Sequence, residues 1–312
     1  MERFCDAVFE GGGLRGVGLV GAARAFEEQG YKYRRVAGAS AGAIVASLLA
    51  AGYTAEELHG IMGRLDYEQF KQPNNLLDSF GPVAKFVSMA RNFGIYSAQL
   101  FENWLEGLLA RKGVRTFSDL DGRLKLTASD ITDARLLALP DDLTLFGIDP
   151  QSFSVAAAVR MSMSIPLFYE PYKLKGCDGR VHFIADGGML SNYPVWILDD
   201  GASAPPYPVF GFRFIRSRSE RAFNPNFLEY LKQIITTFMD AHDDEYQTKA
   251  KGDAERTVFI STKTGGKNIS PTDFDISREQ AEQLFKNGHS AATEFLKTWN
   301  FEEWKRSFRM KI

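Results

Sequence analysis

The most informative part of the sequence is Gly38-Ala39-Ser40-Ala41-Gly42, a serine flanked on both sides by the smallest residues. The short run Arg35-Val36-Ala37 before it is compatible with a β-strand, and residues 43–51 after it predict a buried helix. A sharp turn between strand and helix strains the backbone of its central serine and needs tiny neighbours. The helix also directs its first N–H groups and its positive dipole end toward the serine oxygen. The stretch predicts a nucleophile elbow, although a glycine-rich turn also arises for packing reasons alone.

The composition of the chain narrows the class of protein to which this turn can belong. The chain has 312 residues, of which 45% are apolar and 24% charged, the balance of an ordinary globular α/β protein. A net charge of −2 gives no reason to expect a nucleic acid polymer as a partner. Two cysteines, Cys5 and Cys177, make no disulfide framework, and no Cys/His cluster has zinc-ligand spacing. A reducing compartment is therefore expected.

Neither the first residues nor the longest small-apolar run predicts membrane insertion. Residues 1–6 are too charged for a signal peptide. The run from Ala41 to Tyr53 is shorter than the roughly 20 residues that a membrane-spanning helix needs. Any contact with a membrane is therefore expected to be peripheral.

A glycine-rich loop precedes the elbow along the chain. The predicted strand Ala7-Val8-Phe9 runs into Gly11-Gly12-Gly13-Leu14-Arg15-Gly16, and residues 17–29 predict a helix. Such a loop exposes several backbone N–H groups in one direction, which suits an anion. It also matches the G-x-G-x-x-G dinucleotide fingerprint, which requires an acidic residue at the end of the next strand. That strand ends at Ser40 instead, which favours an oxyanion over a pyrophosphate as the ligand.

A third motif follows another predicted strand. Residues 181–185 alternate between polar and apolar and end at Asp186-Gly187-Gly188. Open α/β sheets place their chemistry at carboxyl ends of strands, and the glycines permit close approach to a substrate. Asp-Gly is also a strong signal for a hairpin turn, and the local sequence by itself favours that turn.

The three motifs complement one another chemically. A nucleophilic serine needs a base to accept its proton and donors to hold the developing oxyanion. The backbone N–H groups of Gly12, Gly13 and Leu14 are candidate donors, and the carboxylate of Asp186 is the candidate base.

These motifs occur in the order and spacing of the patatin-like phospholipases, which the chain resembles from residue 8 to residue 194. A fourth motif, Ser162-Met163-Ser164-Ile165-Pro166, belongs to the same pattern. The resemblance implies an α/β fold: a three-layer α/β/α domain with a mainly parallel central sheet. It further implies hydrolysis of acyl esters of phospholipids, lysophospholipids or neutral lipids, with no metal and no cofactor.

The resemblance also assigns roles to individual residues. It implies a Ser–Asp dyad with Ser40 as nucleophile and Asp186 as proton acceptor, followed by the Asp-Gly-Gly glycines Gly187 and Gly188. Arg15 would position the glycine loop or the substrate phosphate. The implied elbow consists of Gly38, Ala39, Ala41 and Gly42, and the implied oxyanion hole of Gly11, Gly12, Gly13, Leu14, Arg15 and Gly16.

The positions of the histidines help to distinguish this dyad from a Ser–His–Asp triad. A Ser–His–Asp triad in hydrolase order needs a histidine after the acid, and only His242 and His289 follow Asp186. Both fall inside predicted amphipathic helices, where surface or packing roles are the more common. His182 lies on the strand that leads to Asp186 and is expected to pack there.

The segment 66–96 has an irregular pattern with many glycines, prolines and asparagines. It is either a covering layer with its own small core or a lid over the site, because long loops in compact domains are often lids. Phe80, Phe86 and Phe93 are the aromatic residues that such a lid would bury over the acyl channel.

Remaining patterns complete a prediction of one domain over residues 1–312, with a motif-bearing core at about 5–215 and residues 216–312 packed on it. A hairpin is predicted from residues 124–131 and 135–139. Further strands are predicted at 209–215 and 257–261, and helices at 54–62, 97–112, 155–164, 227–241 and 278–299.

Two classes of function remain open for the predicted hydrolase. In one, a bound cyclic dinucleotide switches on a phospholipase that serves as an anti-phage effector, cytoplasmic and attached to the inner membrane when active. The basic residues assigned to that switch are Arg91, Arg213, Arg216 and Arg218. In the other, the enzyme is an unregulated lysophospholipase or carboxylesterase of lipid turnover. A non-catalytic dinucleotide-binding module is disfavoured by the missing ribose-binding acid. The oligomeric state is not indicated.

Overall fold

The structure is a computed structural model that describes residues 3–65, 67–70, 91–199, 205–215, 252–270 and 276–309, with four positions between 230 and 237. Its centre is a mixed eight-stranded sheet. Five neighbouring strands run parallel, and strand β1 (Arg3–Phe9) lies in the middle of them. These strands are β10 (Thr257–Ile260), β9 (Val209–Phe214), β1 (Arg3–Phe9), β2 (Tyr31–Gly38) and β4 (Leu124–Asp130), in that spatial order.

The other end of the sheet is antiparallel. The remaining strands are β5 (Arg135–Leu139), β7 (Tyr172–Lys175) and β8 (Val181–Asp186). The predicted hairpin of β4 with β5 is confirmed, and β5 occupies one edge of β4 from Leu126 to Asp130. Strands β2 and β8 therefore share the opposite edge of β4, end to end. Because β2 is parallel to β4 and β8 is antiparallel, their carboxyl ends meet there: Gly38 pairs with Leu126, and Asp186 with Ala128.

Helices flank the sheet, which confirms the three-layer α/β/α architecture with a mainly parallel sheet. Helix α2 (Ala41–Ala50) follows the predicted elbow, and helix α3 (Ala55–Met62) begins at a capping box made by Thr54 and Glu57. The helices are α1 (Gly16–Glu28), α2 (Ala41–Ala50), α3 (Ala55–Met62), α4 (Gln99–Arg111), α5 (Val155–Met163), α6 (Arg278–Thr298) and α7 (Phe301–Phe308).

Aromatic side chains fill the core between α1 and the sheet. Phe9 and Phe212 stack at a centroid distance of 4.8 Å on neighbouring strands. Phe26 of α1 meets Phe210 and Phe212 edge-on at 4.8 and 4.9 Å. Since all four rings are fully buried, they fix α1 against β1 and β9.

Helices α1 and α6 pack with backbone against backbone. A Cβ atom added to Gly21 would lie 2.0 Å from the carbonyl oxygen of Phe285. One added to Gly288 would lie 1.8 Å from the carbonyl oxygen of Gly18. Larger residues at these positions would force the helices apart.

Two short pairs of strands lie outside the main sheet: β3 (Gly94–Tyr96) with β6 (Leu167–Tyr169), and β11 (Lys263–Thr264) with β12 (Lys267–Asn268). Residues 71–90, which hold most of the irregular segment, lie outside the described residues. The same applies to nearly all of the predicted helix 227–241. The prediction of a single domain stays a prediction.

Candidate active site

Ser40 occupies the strained turn that its neighbours predict. Its backbone angles are φ 50° and ψ −123°, and the residue is 2% exposed. A side chain at Gly42 would place Cβ 2.1 Å from the carbonyl oxygen of Phe9, and one at Gly38 would place it 2.4 Å from the backbone of Gly42. Only glycine fits at both positions, so the turn can approach β1 closely.

A residue from another element holds the backbone of the turn. The N–H group of Ser40 donates a hydrogen bond of 3.0 Å to Oγ of Ser162, near the end of α5. Both residues are buried. This bond fixes the amide of Ser40, and therefore the direction of its side chain, from outside the turn.

Asp186 meets Ser40 at the junction of β2 and β8. The hydroxyl of Ser40 donates a hydrogen bond of 2.7 Å to Oδ2 of Asp186, whose Oδ1 accepts one of 2.7 Å from the N–H group of Gly188. The chain after Asp186 forms a 3₁₀ turn, Gly187–Met189, and no hairpin. The hairpin interpretation is wrong because Gly187 packs against β4, where a Cβ atom would lie 2.2 Å from the carbonyl oxygen of Thr127.

Burial changes the acidity of Asp186. The side chain is fully buried, which disfavours its charged form and raises its pKa to about 7. The hydrogen bonds from Ser40 and Gly188 lower the pKa and offset part of this effect. The carboxyl group of Asp186 therefore changes from its protonated to its ionised form near neutral pH.

The glycine loop faces the same pocket as Ser40, at the end of neighbouring strand β1. Gly13 has φ +56°, a conformation that favours glycine. The N–H of Gly11 donates to Asn192 O, that of Arg15 to Gly12 O, and that of Gly16 to Gly13 O. Within the described part of the chain, only three of the loop's N–H groups have no such partner, those of Gly12, Gly13 and Leu14.

Two side chains brace this loop. Arg15 donates from Nε to the carbonyl oxygen of Gly12 at 3.1 Å and lies over the ring of Phe214 at 4.7 Å. Asn192 donates from Nδ2 to the carbonyl oxygen of Gly11 at 3.4 Å. Sequence reasoning missed Asn192 and the role of Ser162, because both act on backbone groups that are far away in sequence.

A buried ion pair involves Glu10, the residue before the loop, and corrects one sequence interpretation. Arg213 donates from Nε to Oε1 of Glu10 at 3.1 Å, and Glu10 Oε2 accepts from the N–H group of Phe214 at 2.6 Å. Arg213 is 2% exposed, so its assignment to an accessible anion-binding surface is wrong. Arg91 is exposed, while Arg216 and Arg218 lie outside the described residues.

An apolar pocket opens at Ser40, between the glycine loop and helices α3, α4 and α5. Its walls carry aliphatic and aromatic side chains with almost no polar surface, which suits a hydrocarbon chain. Besides Ser40 it is lined by Gly13, Leu14, Ala41, Ile44, Met62, Leu65, Phe70, Phe101, Trp104, Met163, Ile165, Phe168 and Tyr169.

The described histidines of the sequence argument bond to groups other than Ser40 and Asp186. His182 is buried, with Nδ1 2.9 Å from Oδ2 of Asp130. His289, on α6, has Nε2 2.8 Å from Oε2 of Glu28. His242 lies outside the described residues.

One described cluster, Asp130, Asp133 and His182, has the spacing of metal ligands. Its groups already bond to one another or to protein. Arg180 forms an ion pair with Asp133 at 3.1 Å, and Asp130 Oδ1 accepts from the N–H group of Thr132 at 2.9 Å. The cluster is therefore part of a hydrogen-bonded network at the base of β8.

Comparison with known proteins identifies the family of this fold and site. The model of the patatin-like phospholipase family matches residues 7–199. The chain is 37% identical over 304 residues to YqhO of Bacillus subtilis strain 168, covering 96% of this chain and 100% of that protein. A probable lipid hydrolase of Invertebrate iridescent virus 6 is 26% identical over 196 residues, or 60% of this chain and 61% of that one. The chain belongs to the patatin-like phospholipase family, and it is a hydrolase.

Solved structures share the fold. VipD from Legionella pneumophila matches with a TM-score of 0.56 and 18% identity, over 95% of this chain and 67% of VipD. ExoU from the type III secretion system of Pseudomonas aeruginosa, solved with SpcU, matches with a TM-score of 0.50 and 18% identity. That match covers 95% of this chain and 54% of the other, so this chain spans about half its length.

Among the described residues, no helix combines the length and the apolar character that crossing a membrane requires.

Proposed function

We propose that this hydrolase cleaves acyl esters of membrane phospholipids with Ser40 as nucleophile and Asp186 as its base. The observation that carries the proposal is the hydrogen bond of 2.7 Å from Ser40 Oγ to Asp186 Oδ2, with Ser40 lining an apolar pocket. A nucleophile and base within hydrogen-bond reach satisfy the geometric requirement for covalent catalysis.

In the acylation step, Oγ of Ser40 attacks the ester carbonyl carbon while its proton moves to Asp186. The resulting tetrahedral intermediate carries a negative charge on the former carbonyl oxygen. Collapse of this intermediate breaks the bond to the leaving alcohol, and Asp186 returns its proton to that alcohol. The fatty acyl group is then bound to Ser40 as an ester.

In the deacylation step, water takes the place of the leaving alcohol. Asp186 accepts a proton from this water, whose oxygen attacks the acyl carbon. Release of the free fatty acid returns the proton to Ser40 and restores the starting state. The same carboxylate therefore acts as base and then as acid in both steps.

The oxyanion in both steps would be held by the glycine loop. Gly12, Gly13 and Leu14 are the loop residues whose N–H groups are free in the described structure, and Gly13 and Leu14 line the pocket beside Ser40. Donors aimed in advance at the developing charge lower the barrier without reorganising during the reaction. The contact of Arg15 with Gly12 O supports a positioning role for Arg15.

A single carboxylate can serve as the base because of its acidity. A carboxylate of ordinary pKa is too weak a base for a serine hydroxyl, whereas burial raises the pKa of Asp186 to about 7. No histidine is then needed to bridge the difference.

The first experiment compares wild-type protein with Ser40→Ala and Ser47→Ala on an extract of bacterial lipids. Ser47 is a matched control, since it is also buried and its hydroxyl donates to the carbonyl oxygen of Ile44 within α2, away from Asp186. We expect fatty acids and lysolipids from wild type and Ser47→Ala by mass spectrometry, and a loss of several powers of ten in Ser40→Ala. More than a few per cent of activity in folded Ser40→Ala protein would exclude Ser40 as nucleophile.

Regulation and membrane attachment form a separate part of the proposal. A phospholipase with an accessible site would damage its own cell, so a latent form switched on by a cyclic dinucleotide or an anionic bilayer is the regulated alternative. Burial of Arg213 removes one of the four basic residues assigned to that switch. An unregulated lysophospholipase or carboxylesterase of lipid turnover is the second alternative.

Rate measurements separate these alternatives. Purified protein is given a soluble short-chain ester, neutral vesicles or anionic vesicles, each with and without cyclic dinucleotides. A regulated, peripherally bound enzyme accelerates strongly with the added anion and sediments with the vesicles. Equal rates under all conditions would favour the unregulated enzyme.

A further inference from the structure

A second apolar cavity, here called the second groove, lies beside the site and has no part in the chemistry described above. It is bordered by Ala185, the residue before Asp186. Its walls carry no charged side chain among the described residues and are almost wholly apolar. The main contributors are Phe93, Ile131, Pro166, Leu167, Pro171 and Phe183.

A thin wall of protein separates the second groove from the pocket at Ser40. Met163, Ile165 and Phe168 face the pocket, whereas Ser164, Pro166 and Leu167 face the groove. Tyr169 borders both cavities. The segment 163–169, which leaves α5 and forms β6, is therefore a partition with one apolar cavity on each side.

The backbone is strained where it builds the groove. Phe93 has φ 62° and Leu167 has φ 68°, in the left-handed region that bulky residues rarely adopt. The two positions are adjacent, since Gly94 pairs with Leu167 in the β3–β6 ladder, and both side chains line the groove. Strain of this kind persists at ligand-binding sites, where the surrounding structure enforces it.

The groove also leaves large apolar side chains in water. Phe93 is 54% exposed and Ile131 is 49% exposed, and the ring of Phe93 meets that of Phe183 edge-on at 5.5 Å. Contiguous exposed apolar surface of this kind is typical of a binding site. The absence of charge in its described lining suits a hydrocarbon and not a lipid head group.

We infer that the second groove binds the uncleaved hydrocarbon chain of a lipid with two acyl chains. This inference rests on the proposed function, because it places the cleaved chain in the pocket at Ser40. The two chains of one diacyl lipid would then lie on opposite sides of the 163–169 partition. A lipid with one chain would leave the groove empty and lose the contact.

The test compares dioleoyl phosphatidylglycerol with monooleoyl lysophosphatidylglycerol in the same detergent micelles, reading the release of oleic acid. Wild-type protein should have the higher kcat/KM on the diacyl lipid. Ile131→Ala and Leu167→Gly remove contacts in the groove, and Leu167→Gly also relieves the backbone strain. Burial of a whole isoleucine or leucine side chain favours binding by roughly tenfold or more, so the ratio of kcat/KM values should fall by at least about tenfold in each variant.

Leu145→Ala is the matched control. Leu145 is 51% exposed, close to the 49% of Ile131, and lines neither cavity. Its substitution should leave the ratio at the wild-type value, which separates the groove from a general effect of lost surface hydrophobicity.

Several results would overturn the inference. A wild-type enzyme without preference for the diacyl lipid, or a ratio unchanged in both groove variants, would exclude a second-chain site. Weaker sedimentation of Ile131→Ala with vesicles at an unchanged ratio would make the groove a membrane contact instead. These outcomes leave the proposed function intact, whereas folded wild-type protein that is inactive on both lipids, with and without added cyclic dinucleotides and anionic vesicles, would overturn the proposed function as well.

Discussion

The parallel and antiparallel ends of the sheet contribute to the site in different ways. In the parallel end, β1 and β2 are neighbours with their carboxyl ends at one edge, so the glycine loop and the elbow lie side by side. In the antiparallel end, β8 approaches from the opposite direction along the same edge of β4 as β2. Asp186 therefore meets the turn after β2 head-on, because the β4 partners of Gly38 and Asp186 are only two residues apart.

The comparison shows that strand direction controls which groups can touch. Adjacent parallel strands bring two backbone turns together, which suits N–H donors beside a nucleophile. A carboxylate facing the serine from within the sheet requires a reversed strand. That placement also buries Asp186 completely, and burial raises its pKa.

Replacing Asp186 by Asn tests the antiparallel end and should have the largest effect here. The amide keeps the shape but cannot accept the proton of Ser40, so kcat should fall on the order of 10⁴-fold. In wild-type protein, kcat/KM should rise with pH through about 7 as the carboxyl group of the free enzyme ionises. A pH-independent rate, or a mild loss in Asp186→Asn, would assign the base to another residue.

The Asp186→Asn substitution should change stability in the opposite direction to its effect on activity. A carboxyl pKa raised from 3.8 to about 7 means that the folded protein holds a proton that the unfolded chain releases. Wild-type stability is therefore lost as pH rises between these values. The Tm of Asp186→Asn relative to wild type should increase across that window, as measured by thermal unfolding. A constant difference in Tm would contradict the raised pKa.

Replacing Gly13 by Ala tests the parallel end and should have the next largest effect. Alanine is strained at φ +56°, so the loop should shift and lose a donor, lowering kcat about 10²-fold with KM little changed. Gly30→Ala is the control, because Gly30 has φ +78° and open space around it at the far end of α1. Equal losses of kcat in the two variants would mean that general strain, and not donor geometry, is responsible.

Replacing Ser162 by Ala tests the joint between elbow and α5. The buried N–H group of Ser40 loses its partner, at a cost of about 1–3 kcal/mol. We expect kcat to fall roughly tenfold as the turn relaxes. Ser154→Ala removes the N-cap of the same helix at a cost of about 1 kcal/mol, without touching Ser40. If both variants lose stability and neither loses kcat, the bond to Ser162 has no part in positioning the nucleophile.

Replacing His289 by Ala should have the smallest effect. The substitution removes a partly exposed pair with Glu28 on the outer surface of α1 and α6, worth less than about 1 kcal/mol. Turnover of lipid should stay near the wild-type rate. An inactive but folded variant would point to a Ser–His–Asp triad and contradict the dyad.

Local sequence predicted the elements whose constraints are themselves local. The sequence predicts the elbow because the turn needs glycine at positions 38 and 42, where there is no room for a side chain. It predicts the hairpin of β4 with β5 because the pattern of that hairpin is contiguous in sequence. The turn after Asp186 was misassigned because Asp-Gly suits a hairpin equally well. The conformation after Asp186 is decided by the packing of Gly187 against Thr127, which is distant in sequence.

Contacts between residues that are distant in sequence also explain the other differences between the sequence predictions and the structure. Arg213 resembled a surface cation because nothing near it in sequence indicates that Glu10 is its buried partner. Phe93, assigned to a lid over the acyl channel, instead lines the second groove. Ser162 and Asn192 are common residue types whose importance comes from the backbone groups that they contact.

The glycine contact between α1 and α6 has a mechanical consequence. No side chain lies between Gly21 and Phe285 or between Gly288 and Gly18, so no rotamer can change to let the helices slide. Close-packed backbone of this kind has low compressibility. The glycine loop leads directly into α1, and its N–H dipoles are therefore mounted on a stiff support. In the proposed mechanism, such a support would keep the reorganisation energy small when negative charge develops beside Ser40.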